Sequence, residues 1–357
     1  MAEQREQPNV RRAARRQGKG PTLSDVASAA AVSLMTASRV VNGSGRVLPD
    51  TRRRVEAAIK ALGYVPNIAA RSLAGGRQTR LALLYENPSS AFLSEMLVGS
   101  LEQARRADAL LLLETYDVSV GVPALLDQFL AHRIEGVLLP APLCDDPALV
   151  EALSGAGIVV ARVAATQPLP SAIAVGIDDE AAAHAMTRHL IDLGHRCIGF
   201  ISGAAPFPMS ARRLAGYRRA LTEAGMAVEP DLLAFGDYTF RSGMDAAETL
   251  LATRERATAI FASNDDMAAG TIATMHRHRL EVPRDISVCG FDDTAMARSI
   301  WPELTTIRQP VAAMAGEATR LLVEHLRGGH SPARDPLPDV RLSFEIVERA
   351  STQPPVA

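Results

Sequence analysis

Cysteine is scarce. The 357-residue chain has three, Cys144, Cys197 and Cys289, far apart and never in a CxxC pair. An odd, scattered set supports neither a disulfide framework nor a zinc site; small buried thiols in a reducing compartment are the expectation. No stretch reaches the roughly 18 apolar residues that a membrane span requires. The N-terminus carries Arg5, Arg11, Arg12, Arg15, Arg16 and Lys19 with no apolar run, unlike a secretory signal. A cytoplasmic protein without membrane contact is therefore expected. Motifs of catalysis are missing too: no GxGxxG after a strand-like run, no GxxxxGK, no GxSxG and no HExxH. His276 and His278 point to different faces of one helical stretch, and His184 and His189 are five apart on another, a poor metal spacing. Neither an enzyme nor a cofactor or metal site is expected.

What is present is a sharp division of charge. Hydrophobic residues make up 47% and charged residues 22%, in the range of soluble globular proteins, and the length allows more than one domain. The net charge of -2 hides an asymmetry. Residues 1–80 contain 15 Lys/Arg against 5 Asp/Glu, a net of +10, and the remainder contains 23 against 35, a net of -12. A cationic head on an anionic body points to a polyanion as partner of the head alone.

Residues 1–20 are polar and Arg-rich and read as a disordered basic arm. Thr22 and Asp25 stand at capping-box spacing, and Leu23, Val26 and Ala27 give the helix they start an apolar face. Ser33 is an N-cap for a second helix, Leu34 to Val41, which Asn42-Gly43 ends. A third runs from Pro49 to Leu62, with Val55, Ala58, Ile59 and Leu62 on one face and Gly63 beyond it. Three short helices with a tight turn between the first two match a helix-turn-helix unit. A brief helical segment follows, Asn67 to Ala74, closed by Gly75-Gly76 and too short to be stable alone.

From Thr79 the texture changes. Nearly continuous apolar runs (Arg80–Tyr85, Leu110–Glu114, Gly136–Pro140, Ile158–Val163, then Ala172–Ile177, Cys197–Gly203, Leu232–Phe235, Ala259–Ala262 and Ile286–Phe291) alternate with amphipathic stretches. That rhythm predicts parallel sheets covered on both faces, in two doubly wound lobes, with ligands beyond the carboxyl ends of the strands.

The string TLSDVASAAAVSLMTASRVVNG, followed by TRRRVEAAIKALGYVPNIAARSLAGG, resembles the lactose-repressor (LacI/GalR) family of bacterial transcriptional regulators, and the body continues the likeness to about residue 349. Two positions depart from the family pattern: Ala31 stands where a turn glycine is usual, and Ala37 makes TASR of the usual TVSR. The resemblance implies an all-α helix-turn-helix head on an α/β body of the periplasmic-binding-protein type I fold. It also implies a homodimer on a pseudo-palindromic double-stranded operator, with a sugar effector held between the lobes. In such a head the second helix lies in the major groove, its first turn against base edges. Leu34, Met35 and Ser38 face outward there, and Arg39 can pair with guanine O6 and N7. Thr22, Leu23, Ser33, Thr36, Asn42, Arg46, Thr51 and Tyr64 fall at further DNA-contacting positions, several suited to phosphates. Burial of Leu34 and Met35 in the head is the alternative. The segment 67–74 resembles the family hinge helix, with Asn67, Ala70 and Arg71 toward the minor groove and Leu73 as the apolar wedge.

For the effector, Arg213 in SARRLAGY matches the family's clasping arginine and Tyr238 in GDYTF its aromatic platform. Asn264 and Asp265 in FASNDDMAAG and Asp292 in VCGFDDT follow predicted strands; Arg162 ends another, and Phe92 follows the 87–90 loop. Planar polar groups with an aromatic face suit a sugar. Asn264 and Asp265 also stand where a helix cap would, and Phe92 is equally a core residue. The boundaries expected are arm 1–20, DNA-binding domain 21–66, hinge and linker 67–78, effector-binding and dimerisation domain 79–349, and tail 350–357. Lobe 1 takes about 79–177 and 309–338, lobe 2 about 178–308 and 339–349. A transport-associated sugar-binding protein is the rival of the same fold, opposed by the missing signal sequence and the basic head, and a doubly wound dehydrogenase or kinase is the more remote one.

Overall fold

Thr22 opens the first helix by closing a capping box: its main-chain N–H donates to Asp25 Oδ2 at 2.7 Å, and Asp25 N–H donates back to Thr22 Oγ1 at 3.4 Å. The computed structural model describes residues 21–41, 47–64, 78–86, 89–116, 119, 121–204, 207–253, 257–328 and 336–356. The chain divides into two compact units, Met1–Gln78 and Thr79–Ala357. In the first lie α1 (Leu23–Ala29), α2 (Leu34–Val41) and α3 (Pro49–Leu62). Their inward faces form one small core of Val26, Ala30, Val40, Val55 and Ala58, with Tyr64 packed against it. Gly63 ends α3 in the left-handed region at φ 58°. The residues 42–46 and 65–77 lie outside the described set, and with them the expected hinge helix and the sites Asn42, Arg46, Asn67, Ala70, Arg71 and Leu73.

The second unit holds two six-stranded sheets. Sheet 1 has the order β2-β1-β3-β4-β5-β11, every pair parallel, from β1 (Arg80–Tyr85), β2 (Leu110–Thr115), β3 (Gly136–Pro140), β4 (Val159–Val163), β5 (Ile173–Gly176) and β11 (Asp339–Arg341). Sheet 2 has the order β7-β6-β8-β9-β10-β12, from β6 (Ile198–Ser202), β7 (Leu233–Phe235), β8 (Ala259–Ala262), β9 (Ser287–Asp292), β10 (Thr305–Arg308) and β12 (Glu345–Val347). Among the described strands only β12 runs antiparallel to its neighbour. The central strands β3, β6 and β8 are buried along their whole length, which is why they read as unbroken apolar runs rather than alternating ones.

Helices cover the sheets: α4 (Ser90–Arg106), α5 (Gly121–His132), α6 (Pro147–Gly155) and α12 (Val311–Gly328) belong to lobe 1, and α7 (Asp179–Asp192), α8 (Pro208–Glu223), α9 (Phe240–Leu251), α10 (Asp265–Arg277) and the short α11 (Ala295–Ser299) to lobe 2. Helices α4 and α12 touch backbone to backbone at Gly99, where a Cβ would stand 1.9 Å from the Ala312 carbonyl oxygen. The chain passes between lobes after β5, after β10 and between β11 and β12. The last passage corrects the expected boundary at 338/339. Asp339–Arg341 extends sheet 1, held at its ends by Ala174 N–H to Pro338 O and Leu342 N–H to Gly176 O, both 2.8 Å.

The expected tail is likewise part of lobe 2. Ser351 is fully buried, donating to Val288 O at 2.6 Å and accepting from Thr305 N–H at 2.8 Å, and His195 Nε2 meets Gln353 O at 2.9 Å. Among the described residues no helix is long and apolar enough to cross a membrane, and no group of three His, Cys, Asp or Glu could hold a metal ion.

Candidate nucleic-acid interface and inter-lobe cleft

On α2, Ala37 and Val40 are the inward residues, so the helical period turns the opposite side to solvent. Leu34 and Met35 are 54% and 66% exposed, which removes the alternative that both are buried. Arg39 is exposed one turn on, and Thr36 and Ser38 are half-buried. Ser33 caps the helix, its Oγ accepting from Thr36 N–H at 3.1 Å and lying 2.8 Å from Thr36 Oγ1. Thr22, Leu23, Thr51 and Tyr64 are half-buried, and the Thr22 hydroxyl is held by Asp25. The turn before the helix passes through Ala31 at φ 49°, the left-handed region the usual glycine occupies freely. Two exposed apolar side chains and a cation on the first turns of a helix whose other face is core form a surface suited to thymine methyls and a guanine edge.

In the body, a cleft with about 460 Å³ of space, part of it open to solvent, lies beyond the carboxyl ends of the strands. Five of the seven residues expected to bind an effector line it: Phe92 from lobe 1, and Arg213, Tyr238, Asn264 and Asp292 from lobe 2. Tyr238 sits at φ 69°, its hydroxyl 2.6 Å from Ser210 Oγ and its ring 6.3 Å from that of Phe207 between centroids. The ring lies where a Cβ on Gly203 would be, 2.0 Å from Tyr238 Cζ, so only glycine admits it. Asn264 lines the cleft and is the cap of the helix that follows. Its Oδ1 caps α10 by accepting from Met267 N–H at 2.9 Å, and its Nδ2 donates to Tyr238 O at 2.9 Å, fixing the aromatic wall.

Arg213 is buried, its Nε 2.8 Å from Asp179 Oδ1, its Nη1 donating to Ser263 O, and its Cζ 3.6 Å above the Phe291 ring. Burial raises the Asp179 carboxyl while the charge of Arg213 opposes it. Asp292, at φ 118°, accepts from Gln309 Nε2. Burial pushes its carboxyl up to about 7 against the pull of Arg213 and Gln309. Ala164, Tyr238 and Asp292 thus line one cleft with left-handed backbones, a concentration of strain typical of ligand sites.

Two expected residues do not line the cleft. Arg162, 1% exposed, braces the loops behind the lobe 1 wall: its Nε donates to Cys144 O, Nη1 to Gln167 O at 2.6 Å, and Nη2 to Asp145 Oδ1 at 2.6 Å. Asp265 faces back into lobe 2, accepting from Thr294 N–H at 2.7 Å and Thr306 Oγ1 at 2.6 Å. Burial, and then the Asp292 charge, raise its carboxyl well above the usual range. Conversely, Ser89, Phe207, Met209 and Gln309 line the cleft without having been singled out. Gln309 had a legible signal, since it directly follows β10, but TTIR lacks the apolar continuity that marked the other strands.

The model of bacterial regulatory proteins of the lacI family matches residues 22–67, and that of the periplasmic binding protein-like domain matches residues 187–352. The catabolite control protein A of Priestia megaterium is 36% identical over 309 residues, 85% of this chain and 92% of that protein. The chain belongs to the lacI family of bacterial regulatory proteins. Among solved structures, the transcriptional regulator CelR in complex with cellobiose is 32% identical, with a TM-score of 0.70 over 93% of this chain and 99% of that one. The lac repressor dimer bound to operator and the anti-inducer ONPF is 28% identical, with a TM-score of 0.75 over 94% and 100%. As a lacI-family member the chain is a DNA-binding transcriptional regulator and not an enzyme, and its body has the periplasmic-binding-protein type I fold.

Proposed function

We propose that this regulator is a homodimeric repressor of genes for the catabolism of glycosides or oligosaccharides, acting in the cytoplasm on a pseudo-palindromic operator. A sugar bound between the lobes sets its affinity for that operator. Helix α2 reads the major groove through Leu34, Met35, Ser38 and Arg39, with Thr22, Leu23, Ser33, Thr36, Thr51 and Tyr64 at or near the backbone. The same reading gives Asn42 and Arg46 to phosphates and Asn67, Ala70, Arg71 and Leu73 to the minor groove. In the body, Phe92, Arg213, Tyr238, Asn264 and Asp292 contact the sugar, while Arg162 and Asp265 act from behind the walls.

The observation that carries the sugar reading is the cleft itself: a guanidinium, a carboxylate and an amide beside the Tyr238 ring, at the strand ends of two lobes. A sugar presents hydroxyl pairs to the former and an apolar ring face to the latter. The cellobiose complex of CelR and the operator-bound dimer of the lac repressor support the effector class and the assembly. The effector can act only through different affinities for the lobe arrangements that favour and disfavour DNA.

The test is a mobility shift of the full-length protein with genomic fragments, with and without a panel of mono- and disaccharides. A preferred palindrome whose occupancy responds to one sugar is expected. Salt-sensitive binding with no sequence preference, or indifference to every sugar, overturns the corresponding half of the proposal.

A further inference from the structure

Gln309 leaves one polar atom unanswered. It lines the cleft, its Nε2 donates to Asp292 Oδ1, and its Oε1 is buried without a hydrogen-bond partner. With its amide nitrogen committed to a carboxylate, the free end of Gln309 can only accept. A buried acceptor left unpaired costs free energy, which a donor on a bound molecule recovers.

The charges around this oxygen are unevenly spread. Arg213 is the only Lys, Arg or His among the described residues lining the cleft. Its charge is already met from within, by Asp179 on Nε and Ser263 O on Nη1, with the guanidinium stacked on Phe291. Acids are more numerous. Asp292 lines the cleft, and Asp266 reaches Ser89 on the opposite lobe. The second arginine of the region, Arg162, is tied to Asp145 and to two carbonyls. Asn87, Pro88, Ala205 and Pro206, which adjoin Ser89 and Phe207 in sequence, carry no charge. Among the described lining residues, a phosphate or carboxylate entering here would lose its water, meet Asp292, and find only Arg213 as a cation, with Nε and Nη1 already engaged.

Taking the cleft as the sugar site proposed above, we propose that it selects uncharged polyols and excludes their phosphorylated or carboxylated counterparts, with Gln309 Oε1 as the acceptor for a ligand hydroxyl. Asp292 and Gln309 then form a paired acceptor, each taking a hydrogen from the sugar. Selection arises from what is withheld: Asp179 already offsets the charge of Arg213, the one cation among the described lining residues.

Titration calorimetry of the full-length protein against matched pairs tests this: glucose with glucose 6-phosphate, trehalose with trehalose 6-phosphate, maltose with maltose 6-phosphate, and cellobiose with cellobionate. At least one neutral member should bind, its anionic counterpart more than tenfold more weakly. An anionic member binding within tenfold of its neutral partner, or tighter, overturns the charge selection. If no member of either series binds, the sugar-site reading itself falls and the selection with it.

Gln309→Leu should weaken the neutral sugar at least tenfold in a protein that still unfolds cooperatively; unaltered affinity overturns the role of Gln309. Asp179→Asn, which releases Arg213, should bring the anionic and neutral affinities closer together. A folded Asp179→Asn protein with the wild-type ratio overturns the part given to Asp179. If that variant does not fold, the wild-type ratio decides.

Discussion

Arg213 Nε lies 2.8 Å from Asp179 Oδ1, and the two side chains are only 3% and 6% exposed. The pair joins the first turn of α7 to the middle of α8 and fixes the guanidinium in the cleft wall. Removing one partner of a buried pair strands the other, at a cost of about 3–5 kcal/mol. Asp179→Ala should therefore lower the urea-unfolding free energy of the effector body by about that much. Asp179→Ala combined with Arg213→Met should recover a large part of it, because no uncompensated charge remains. Additive losses in the double variant would show that the two residues act separately.

Ala31 holds the turn between α1 and α2 at φ 49°. The left-handed region costs an L-residue about 1–2 kcal/mol, and glycine returns part of that gain through its greater freedom in the unfolded chain. Ala31→Gly should thus stabilise the head by about 0.5–1 kcal/mol. Native-state hydrogen exchange at the Val26 and Val40 amides, both in the head core, should slow by about two- to fivefold. Faster exchange would place the turn strain elsewhere.

Most of the architecture was legible because its signals are local. Thr22 and Asp25 announced the capping box, and unbroken apolar runs bounded by helical stretches announced buried parallel strands. What escaped were features set by distant partners. Asp339–Arg341, expected in lobe 2, becomes a strand of sheet 1 because the edge of β5 offers it hydrogen bonds. Ser351 is buried by sequence-distant Val288 and Thr305. The site followed the same rule. Asp292 ends β9 and was visible as such, and Tyr238 was visible through the family resemblance, whereas Arg162 near the end of β4 and Asp265 just after β8 turn away from the cleft toward Asp145 and Thr306. Strand-end position fixes proximity to a cleft; only the tertiary partners fix direction.

Arg39 is exposed on α2, one turn beyond Leu34 and Met35. A bidentate contact to guanine carries about 1–3 kcal/mol of discrimination. Arg39→Ala should weaken binding to the preferred operator by about 5- to 150-fold, while affinity for random duplex, which the other cations of the head sustain, changes far less. Fluorescence anisotropy on both duplexes at one salt concentration measures the ratio. Equal losses on both would assign Arg39 to phosphate rather than to a base.

Asp292 is pushed up to about 7, by burial first, against the opposing charge of Arg213 and the Gln309 hydrogen bond, with Asp266 and Asp179 adding to the rise. A carboxyl whose pKa is higher folded than unfolded binds more protons in the native state. Its contribution to stability is therefore fully present below the unfolded value near 4 and is lost as pH rises through about 7. Asp292→Asn should gain stability relative to the wild type as pH climbs from about 4 to about 7, and the difference should level off above that. Binding follows the same linkage with the opposite partner. A sugar hydroxyl donating to Asp292 favours the carboxylate and lowers its pKa, so complex formation should release a fraction of a proton at pH 6. Calorimetry at pH 6 in buffers of different ionisation enthalpy reads that release directly. It should fade at pH 8.5, where the carboxylate is already ionised, and disappear in Asp292→Asn. Proton uptake on binding would mean that the sugar accepts a hydrogen from Asp292 instead of donating to it.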